Sequence, residues 1–535
     1  MESYPFNKLT EYFVRKNHID VEKQYEIASV PAKSLICPER FDLMAKWIYI
    51  DALEKGIDMT FATKIYRDSI NAFSCGTFTE PGTDLKNTFD IYLNQFNEII
   101  QDIKNNGFDS EKSLVPVGAD DVICDGAHRV AAAAYYNRNV TIIRFPQLSR
   151  NFNYDYFRSF LMSDINMGYM AMKYSEIMPN CYFACVWPNA ERKKKDKVTA
   201  LVKSVGEIVY EQDVYLTYKG MCNFMAQIYG HQAWTGNIDN HFSGVKGKAL
   251  ACYNAKNPVH TYLFTCLDIN KVLELKKEIR ALFNLENHSV HIGDNSEETL
   301  MMARLLYNPN SVQVLNNADM FKYSMVFNKM KELKTLVSDN HKEVERFIID
   351  SSSVLEICGL RRARDVDYLT DYVAEKSLPE NASVDNHESQ LPFHSISVKD
   401  MLCNPENHFY FNGMKFLSVD RLVEMKKKRN EPKDKKDVKL LKSLKKHFDK
   451  IPVQYRYFTM ERLNHDLIKY NMYGLGNESY GWLKWNLFKH KLGSSLPFLK
   501  YPYRIALKVR GLLKLSSIPS IVRRGGGVYS KKTFA

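Results

Sequence analysis

Two aspartates separated by one residue, Asp365 and Asp367, are the residues best suited to chemistry. On a β-strand they would share one face, with Val366 turned into the core behind them. Two carboxylates this close repel each other unless a cation lies between them. A hard divalent ion such as Mg²⁺ prefers such oxygens and commonly brings substrate phosphates with it. Arg361 or Arg364, just upstream, would neutralise a phosphate there.

The residues before the aspartates predict the elements that would position them. The predicted order is a buried strand at Phe347–Ile349, a short helix at Val354–Ile357 and a second strand at Asp365–Leu369. Small hydroxyls and free N–H groups at a strand-to-helix turn suit a phosphate, so Ser352 and Ser353 are candidate phosphate ligands. The alternative is a plain strand–helix–strand unit that carries two surface aspartates.

This order of features resembles the nucleotidyltransferase (polymerase-β-like) superfamily, whose signature is a Gly-Ser turn, a helix and an Asp-x-Asp strand. The resemblance implies that Ser352 or Ser353 holds a triphosphate and that Asp365 and Asp367 are the catalytic, metal-binding pair. The chain departs from the signature because a serine replaces the glycine before the Ser. The superfamily also implies a third carboxylate, for which the candidates are Asp385, Glu388 and Asp400.

A segment further along the chain extends the same resemblance. Two apolar runs flank Asn412-Gly413 and predict a hairpin, and Ser418 is placed to cap a helix over Val419–Lys428. The next helix begins around Arg429, Lys433, Asp434 and Asp437. Many small nucleotidyltransferases carry a strand with Gly, a helix ending in Lys and an R-x-K-D-x-x-D-like segment, in this order.

A turn at Asp125 and Gly126 is a second candidate site, near the N-terminus. The surrounding prediction is strands at Leu114–Val117, Val122–Cys124 and Val140–Phe145, with a helix at His128–Tyr136. His128 and Arg129 in the first helical turn oppose the helix dipole, which is tolerable if an anion docks there. The alternative is a capped helix with Arg129 in a salt bridge.

This stretch, Ser113–Phe145, is similar to the ParB/sulfiredoxin-like fold. The resemblance implies that Asp125, Gly126, His128 and Arg129 contact nucleotide phosphates. Members of that fold include CTP-binding partition proteins, an ATP-using reductase and small-molecule kinases, so the fold alone does not choose among these activities.

The middle region, residues 151–330, predicts mixed α/β structure and resembles no family by its motifs. Strands are predicted at Tyr182–Trp187, Ile208–Tyr210, Ala249–Tyr253, Thr261–Cys266, Ser289–Ile292 and Val312–Leu315, and helices at Ile269–Phe283 and Glu297–Leu306. Asp294 either pairs with His291 as a base or, as we prefer, caps a helix with Glu297 at its third position. Gly244–Lys248 is expected to form a loop, and Glu380–Gln390, further on, another.

Charge is distributed unevenly along the chain. The net charge is +12, yet residues 481–535 contain twelve Lys and Arg and no Asp or Glu, so the rest of the chain is neutral. Aromatic and apolar residues alternate with these cations, which suits the surface of an anionic membrane. The alternatives are docking on an acidic surface of the protein itself or on nucleic acid. Nucleic acid is not the expected partner because the positive charge is confined to this tail.

Cysteine content and the absence of targeting patterns indicate the cellular compartment. Ten cysteines are scattered without a Cys-x-x-Cys pair, which predicts reduced thiols rather than disulfides or a zinc site. The N-terminus lacks a signal pattern, and no apolar run approaches the ~20 residues that span a bilayer. We therefore expect a cytoplasmic protein, peripheral on the inner membrane face.

Together these features predict a multidomain α/β (α+β) protein. The expected domains are a ParB/sulfiredoxin-like domain at 1–150, a mixed α/β domain at 151–330, a nucleotidyltransferase-like domain at 331–450 and a basic tail at 451–535. The expected function is Mg²⁺-dependent nucleotidyl or phosphoryl transfer to a small molecule or glycan precursor. The layout also resembles uncharacterised proteins of bacterial surface-polysaccharide pathways. Alternatives are a silent nucleotide-binding protein and a ParB-like nucleic-acid-binding protein.

Overall fold

The computed structural model describes residues 5–80, 82, 85–160, 162–373, 378–379 and 383–448. The predicted basic tail lies outside the described residues. In the described part, the chain forms two compact units, one of residues 5–51 with 62–167 and one of residues 52–61 with 168–448. The α/β class and the multidomain organisation are thereby confirmed. No described helix has both the length and the apolar character needed to cross a bilayer.

The N-terminal part of the chain is mostly helical, with three short strands. Its elements are α1 (Glu11–Lys16), β1 (Ile27–Pro31), α2 (Asp42–Lys55), α3 (Thr60–Phe73), α4 (Phe89–Asn106), β2 (Val115–Val117), α5 (Ala127–Tyr135), β3 (Asn139–Arg144), α6 (Tyr154–Ser159) and α7 (Asp164–Ile177).

The strands of the first unit form one sheet in the order β1-β3-β2. Strand β3 pairs antiparallel with β1 and parallel with β2, and its Ile142 and Ile143 are fully buried. The predicted strands at Leu114–Val117 and Val140–Phe145 are confirmed as β2 and β3. The predicted strand at Val122–Cys124 is wrong, since only an isolated bridge joins Val117 to Ile123. A 3-10 turn over Ala119–Asp121 reverses the chain too tightly for a longer pairing.

The middle of the chain forms a four-stranded antiparallel sheet. Its elements are β4 (Cys181–Val186), α8 (Lys195–Val205), β5 (Glu207–Val214), α9 (Tyr218–Tyr229), α10 (Ser243–Cys252), β6 (Val259–Thr265), α11 (Ile269–Phe283), β7 (Val290–Ile292), α12 (Ser296–Tyr307), α13 (Pro309–Asn317) and α14 (Met325–Asp339). The strand order β5-β6-β4-β7 and the helices α8 and α11 give the split βαββαβ arrangement, with α9 and α10 inserted between β5 and β6.

Two strand predictions in this region are wrong. Val312–Leu315 lies in α13, which begins at Asn308 with Pro309 in its first turn, a strong helix start. Ala249–Tyr253 lies mostly in α10, and so does the predicted Gly244–Lys248 loop. A Cβ on Gly244 would lie 2.0 Å from the carbonyl oxygen of Trp234, so close packing explains this glycine.

The C-terminal part of the second unit forms a five-stranded sheet. Its elements are β8 (Phe347–Ile349), α15 (Ser351–Ile357), β9 (Val366–Thr370), β10 (Val384–Asn386), α16 (Val398–Cys403), β11 (His408–Phe411), β12 (Met414–Leu417), α17 (Val419–Arg429) and α18 (Pro432–Phe448). The order is β10-β9-β8-β12-β11. Strand β8 is antiparallel to β9 and parallel to β12, and β10 is parallel to β9.

The sequence signals for the β11–β12 hairpin and for the start of α17 are confirmed. Asn412 and Gly413 adopt φ values of 47° and 72°, as a tight hairpin turn requires. The Ser418 side chain accepts a hydrogen bond from the Arg421 N–H and caps α17. The predicted loop at Glu380–Gln390 is wrong in part, because strand β10 lies within it. Three residues with one fully buried side chain give a strand signal too short to read from the sequence.

Candidate functional site

The turn from β8 into α15 positions the first polar groups. Strand β8 is fully buried and is followed directly by Asp350, whose N–H donates to the carbonyl of Asp367 at 2.9 Å. Ser351 follows with a φ of 54°, in the left-handed region that favours glycine. The next N–H, of Ser352, donates to the carboxylate of Asp367. The serine that stands in place of the family's glycine therefore still makes the glycine-like turn.

Two histidines converge on the buried carboxylate of Asp350. Its Oδ2 lies 3.3 Å from Nδ1 of His387 and 3.2 Å from Nε2 of His394, while Oδ1 is buried without a hydrogen-bond partner. Burial favours the neutral acid, but hydrogen bonds from the two histidines hold the pKa of Asp350 well below its usual range. Burial likewise favours a neutral His387, yet Asp350 and Asp367 raise the pKa of that ring.

Asp367 has the opposite character. It is 7% exposed, and burial together with the negative charges of Asp365 and Asp350 raises its pKa to about 6, against the opposing charge of His387. Asp365 immediately precedes β9 rather than lying in it. Mutual repulsion of clustered carboxylates is the condition that a bound cation relieves.

Strand β10 adds a third carboxylate to this edge of the sheet. Asp385 is paired in register with Asp367 on the parallel neighbouring strand, so the two side chains share a face. The other two candidates lie in different settings. Glu388 is in a 3-10 helix, and Asp400 accepts hydrogen bonds from the Asp58 N–H and the Ser397 hydroxyl. The register therefore favours Asp385 as the third carboxylate.

The donor set has the chemistry of a Mg²⁺ site but not a complete ligand shell. In the described ranges, no group of three or more His, Cys, Asp and Glu side chains is arranged to hold a metal ion. Mg²⁺ is commonly held by one or two carboxylates, with substrate phosphates and water as the other ligands. The orphaned oxygen of Asp350 and the raised pKa of Asp367 fit such a partial site.

The predicted phosphate ligands near the aspartates lie in different surroundings and have different hydrogen-bond partners. Ser353 is buried, and its hydroxyl donates to the carbonyl of Asp365 at 3.0 Å, so it fixes the start of β9. Arg361 donates two hydrogen bonds to Asp437, at 2.6 and 2.8 Å. Arg364 is exposed. Of these three side chains, only that of Arg364 is placed without a hydrogen bond to another described residue.

The R-x-K-D-x-x-D-like segment forms a buried charge cluster, which consists of Lys426, Arg429, Asp434, Asp437 and Arg361. Lys426 is 1% exposed and lies 3.1 Å from Asp434 and 2.9 Å from Asp437. Arg429 donates to both oxygens of Asp434 at 2.7 and 2.9 Å. This cluster joins α17 to α18 and ties both helices to the loop before β9. Its role in the described structure is positional.

The N-terminal turn has the predicted backbone. Gly126 has a φ of 84° at the start of α5, and the Arg129 side chain folds back so that its Nη2 would lie 2.7 Å from a Cβ there. Asp125 accepts the N–H of Gly126. Burial lowers the pKa of Arg129, against the charge of Asp125. The alternative prediction of Arg129 in a salt bridge is wrong for the described residues, because Arg129 forms no salt bridge with any of them.

The side chain of His128 contacts different residues from that of Arg129. Its Nε2 is 2.9 Å from the Tyr66 hydroxyl, and its ring lies edge-on to Phe96 with ring centres 4.8 Å apart. Burial lowers the pKa of His128 well below its usual value. The turn therefore presents Arg129 with Asp125, while His128 is engaged by aromatic residues.

Sequence reasoning missed Asp350, His387 and His394. Asp350 directly follows a fully apolar strand, and an acidic residue at such a position is a usable signal. The histidines gave none, because they lie far from Asp350 in the chain. Comparison of the chain with protein-family models, curated proteins and solved structures finds no match. The resemblances to nucleotidyltransferases and to the ParB/sulfiredoxin-like fold therefore stay predictions.

Replacing Ser351 with glycine should stabilise the protein, because glycine adopts the left-handed backbone conformation of this position without steric strain. The gain is expected to be at most about 1 kcal/mol, since glycine also loses more backbone entropy on folding. Urea unfolding measures it. Ser353→Gly is the control and should be destabilising, because it places glycine within α15 and removes the hydrogen bond to Asp365. Equal losses in both variants would contradict the strain assigned to Ser351.

Proposed function

We propose that the chain is a Mg²⁺-dependent transferase that moves a nucleotidyl or phosphoryl group from a nucleoside triphosphate to a small molecule or glycan precursor. The observation that carries the proposal is the raised pKa of Asp367 beside Asp365 and Asp350, at the β8–α15 turn, with Asp385 in register with Asp367 on β10. Asp365 and Asp367 would hold the metal ion. When bound, that ion would neutralise charge on the transferred group and on the leaving oxygen.

The protein's own groups have defined parts in this proposal. The exposed guanidinium of Arg364 and the start of α15, with the hydroxyl of Ser352, would bind phosphate oxygens. Asp367 would change from a partly protonated acid to a carboxylate when a cation binds, because the cation offsets the repulsion from Asp365 and Asp350. His387 and His394 would keep Asp350 ionised and fixed.

Two further parts of the proposal rest on other segments. The Asp125–Arg129 turn would hold a second phosphorylated ligand, and the main support is that Arg129 forms no salt bridge with any residue the structure describes. The basic segment at 481–535 would attract the protein to an anionic membrane surface. A silent nucleotide-binding protein is the second candidate, and the incomplete metal ligand shell favours it.

Calorimetric titration of the full chain with ATP, CTP, GTP and UTP in the presence of Mg²⁺ tests the proposal. Asp367→Ala is expected to abolish or strongly weaken triphosphate binding, because it removes a metal ligand. Arg129→Ala should leave that binding event in place and remove any second one. Asp339→Ala, an exposed aspartate at the end of α14, is the control and should change neither.

The outcomes separate the candidates. Binding that is lost only in Arg129→Ala would move the nucleotide site to the N-terminal unit and refute the C-terminal assignment. Binding lost in Asp367→Ala, with no turnover on any sugar or small-molecule acceptor, would favour the silent nucleotide-binding protein. Mg²⁺-dependent release of pyrophosphate or nucleoside diphosphate, lost in Asp365→Ala and Asp367→Ala, is the result expected of the transferase.

A further inference from the structure

A cleft in the second unit is separate from Asp365, Asp367 and Asp385, which we call the carboxylate edge. It lies between the inserted helices α9 and α10 and the helices α11, α12 and α14. Its volume is about 1120 Å³, slightly above the roughly 300–1,000 Å³ of ordinary small-molecule sites. For the residues lining this cleft, the sequence suggested only that His291 and Asp294 could form a base, with helix capping by Asp294 as the preferred alternative. Its walls contain cations, aromatic rings and one histidine–carboxylate pair, and each of these bears on what the cleft would bind.

Two cations in the cleft lack an acidic partner. The Nε of Arg280 is buried without a hydrogen-bond partner, and its guanidinium forms no ion pair with any residue the structure describes. The Nζ of Lys248 donates only to the carbonyl of Asn287, at 2.6 Å. Burial lowers the pKa of Lys248, and the charge of Arg280 lowers it further. Two cations that repel each other in a partly dry cleft are stabilised by an anion between them.

The other cation of α11 in this cleft is already paired. Lys276, one helical turn before Arg280, donates to Asp294 at 2.9 Å and to the carbonyl of Ile292 at 3.0 Å. Its charge is therefore offset within the protein, whereas Arg280 and Lys248 have no acidic partner among the described residues. The exposed Lys331 also lines the cleft and lies over the Phe327 ring. Arg280 and Lys248 match the charge and the several acceptor oxygens of a phosphate ester.

Aromatic rings form a wall beside these cations. Trp234 is 45% exposed in a 3-10 turn, and its ring centre lies 5.6 Å from that of Tyr229. The Lys248 ammonium lies 5.7 Å from the centre of the Tyr229 ring. An exposed tryptophan next to a basic site offers a flat surface for a sugar or base ring that carries the anion.

A buried histidine supplies a neutral acceptor. His291 Nε2 lies 2.8 Å from Glu298, whose pKa is lowered in spite of burial by its hydrogen bond with that ring. An ionised carboxylate only accepts, so Nε2 carries the proton and Nδ1 is free to accept one from a hydroxyl. Asn295 rather than Asp294 caps α12, which corrects the predicted capping residue. Glu298 accepts the Asp294 N–H through Oε2 and pairs with His291 through Oε1.

We propose that this cleft binds a phosphate ester of a sugar, with Arg280 and Lys248 on the phosphate, Trp234 against the ring and His291 accepting a hydroxyl. Free sugar phosphates and nucleotides share this chemistry. The inference does not depend on the transferase proposal, because none of these residues belongs to the carboxylate edge.

Calorimetric titrations of the full chain with inorganic phosphate, glucose 1-phosphate, AMP and unphosphorylated glucose test this proposal. Both esters, or one of them, should bind, and glucose should not. Arg280→Gln and Lys248→Gln should each weaken ester binding about tenfold or more, the effect of losing one charge-assisted hydrogen bond. Lys277→Gln and Lys246→Gln, exposed residues on the same two helices, are the matched controls and should have little effect.

The remaining variants define the ring contact and the site. Trp234→Ala should weaken ester binding and spare inorganic phosphate, and comparison of glucose 1-phosphate with AMP tells which source of phosphate the ring wall prefers. Asp367→Asn should leave ester binding unchanged. No heat with any phosphate compound at millimolar concentration, or ester affinity unaltered in both Arg280→Gln and Lys248→Gln, would overturn the proposal. So would ester binding lost in Asp367→Asn alone, which would place it at the carboxylate edge.

Discussion

The Asp367→Asn variant is expected to lose Mg²⁺-dependent turnover while gaining stability. Asn keeps the shape and the hydrogen bond from the Ser352 N–H but removes the charge that repels Asp365 and Asp350. Loss of a metal ligand should lower turnover by more than the roughly 10–100-fold that follows loss of an outer-shell partner. A variant that becomes both inactive and more stable is the signature of a functional carboxylate held under electrostatic strain.

The pH dependence of stability follows from the raised pKa of Asp367. The folded state holds this proton up to about pH 6, whereas an ordinary aspartate releases it near 3.8. The folded state therefore binds more protons between these values, so this residue's contribution to stability is present below the lower pKa and is lost as pH rises to 6. At pH 7.5, Asp367→Asn should be more stable than the native protein by on the order of 2 kcal/mol.

Urea unfolding at pH 5 and pH 7.5 measures this effect. The gain in stability of Asp367→Asn over the native protein should be smaller at pH 5, where the native Asp367 is largely protonated. Added Mg²⁺ should stabilise the native protein at pH 7.5 and not the variant, because only the native site binds the ion. Asp339→Asn, at an exposed position at the end of α14, is the control for charge removal and should change stability little. Loss of stability in Asp367→Asn at pH 7.5 would contradict the strained site.

The Lys426→Met variant is expected to be the most destabilising. Methionine has a similar volume, but it leaves Asp434 and Asp437 buried without the ammonium that lies about 3 Å from each. Removal of one partner from a buried ion cluster costs roughly 3–5 kcal/mol. The effect should reach Arg361 as well, since that residue is held by Asp437.

Thermal and urea unfolding of Lys426→Met, with Lys445→Met as control, measure this prediction. Lys445 pairs with Asp420 on the surface, and an exposed pair contributes at most about 1 kcal/mol. Burial opposes ionisation of Asp434, but Arg429 and Lys426 lower its pKa to about 2. Its contribution is therefore present above the ordinary aspartate pKa and is lost as pH falls towards 2. Similar destabilisation by both lysine variants would show that the cluster is not structurally important.

The sequence by itself determined those elements whose signals lie within a few neighbouring residues. The left-handed requirement of Asn412-Gly413 and the hydroxyl of Ser418 predicted the hairpin and the helix that follows it. The apolar spacing of Ile269–Phe283 predicted α11 with its bounds. These features could be predicted because turn conformation, capping and helical periodicity are local properties of the chain.

Short apolar runs were ambiguous for the same reason. Val312–Leu315 fits a strand and a helix equally well over four residues, and packing in the second unit, together with the Asn308 cap, decides for the helix. The three-residue strand β10 gave no local signal, and it exists because β9 offers it a hydrogen-bonding edge. Both outcomes depend on neighbours that are distant in the chain.

Only the tertiary structure decided the composition of the candidate sites. It brought Asp385 into register with Asp367, placed His387 and His394 on Asp350, and gave Arg361 to Asp437. It also left Arg280 and Lys248 together in a cleft, where neither has an acidic partner among the described residues. The physical reason is that charge pairing and burial depend on distances in space, whereas the sequence reveals only the residue types that such pairing can use.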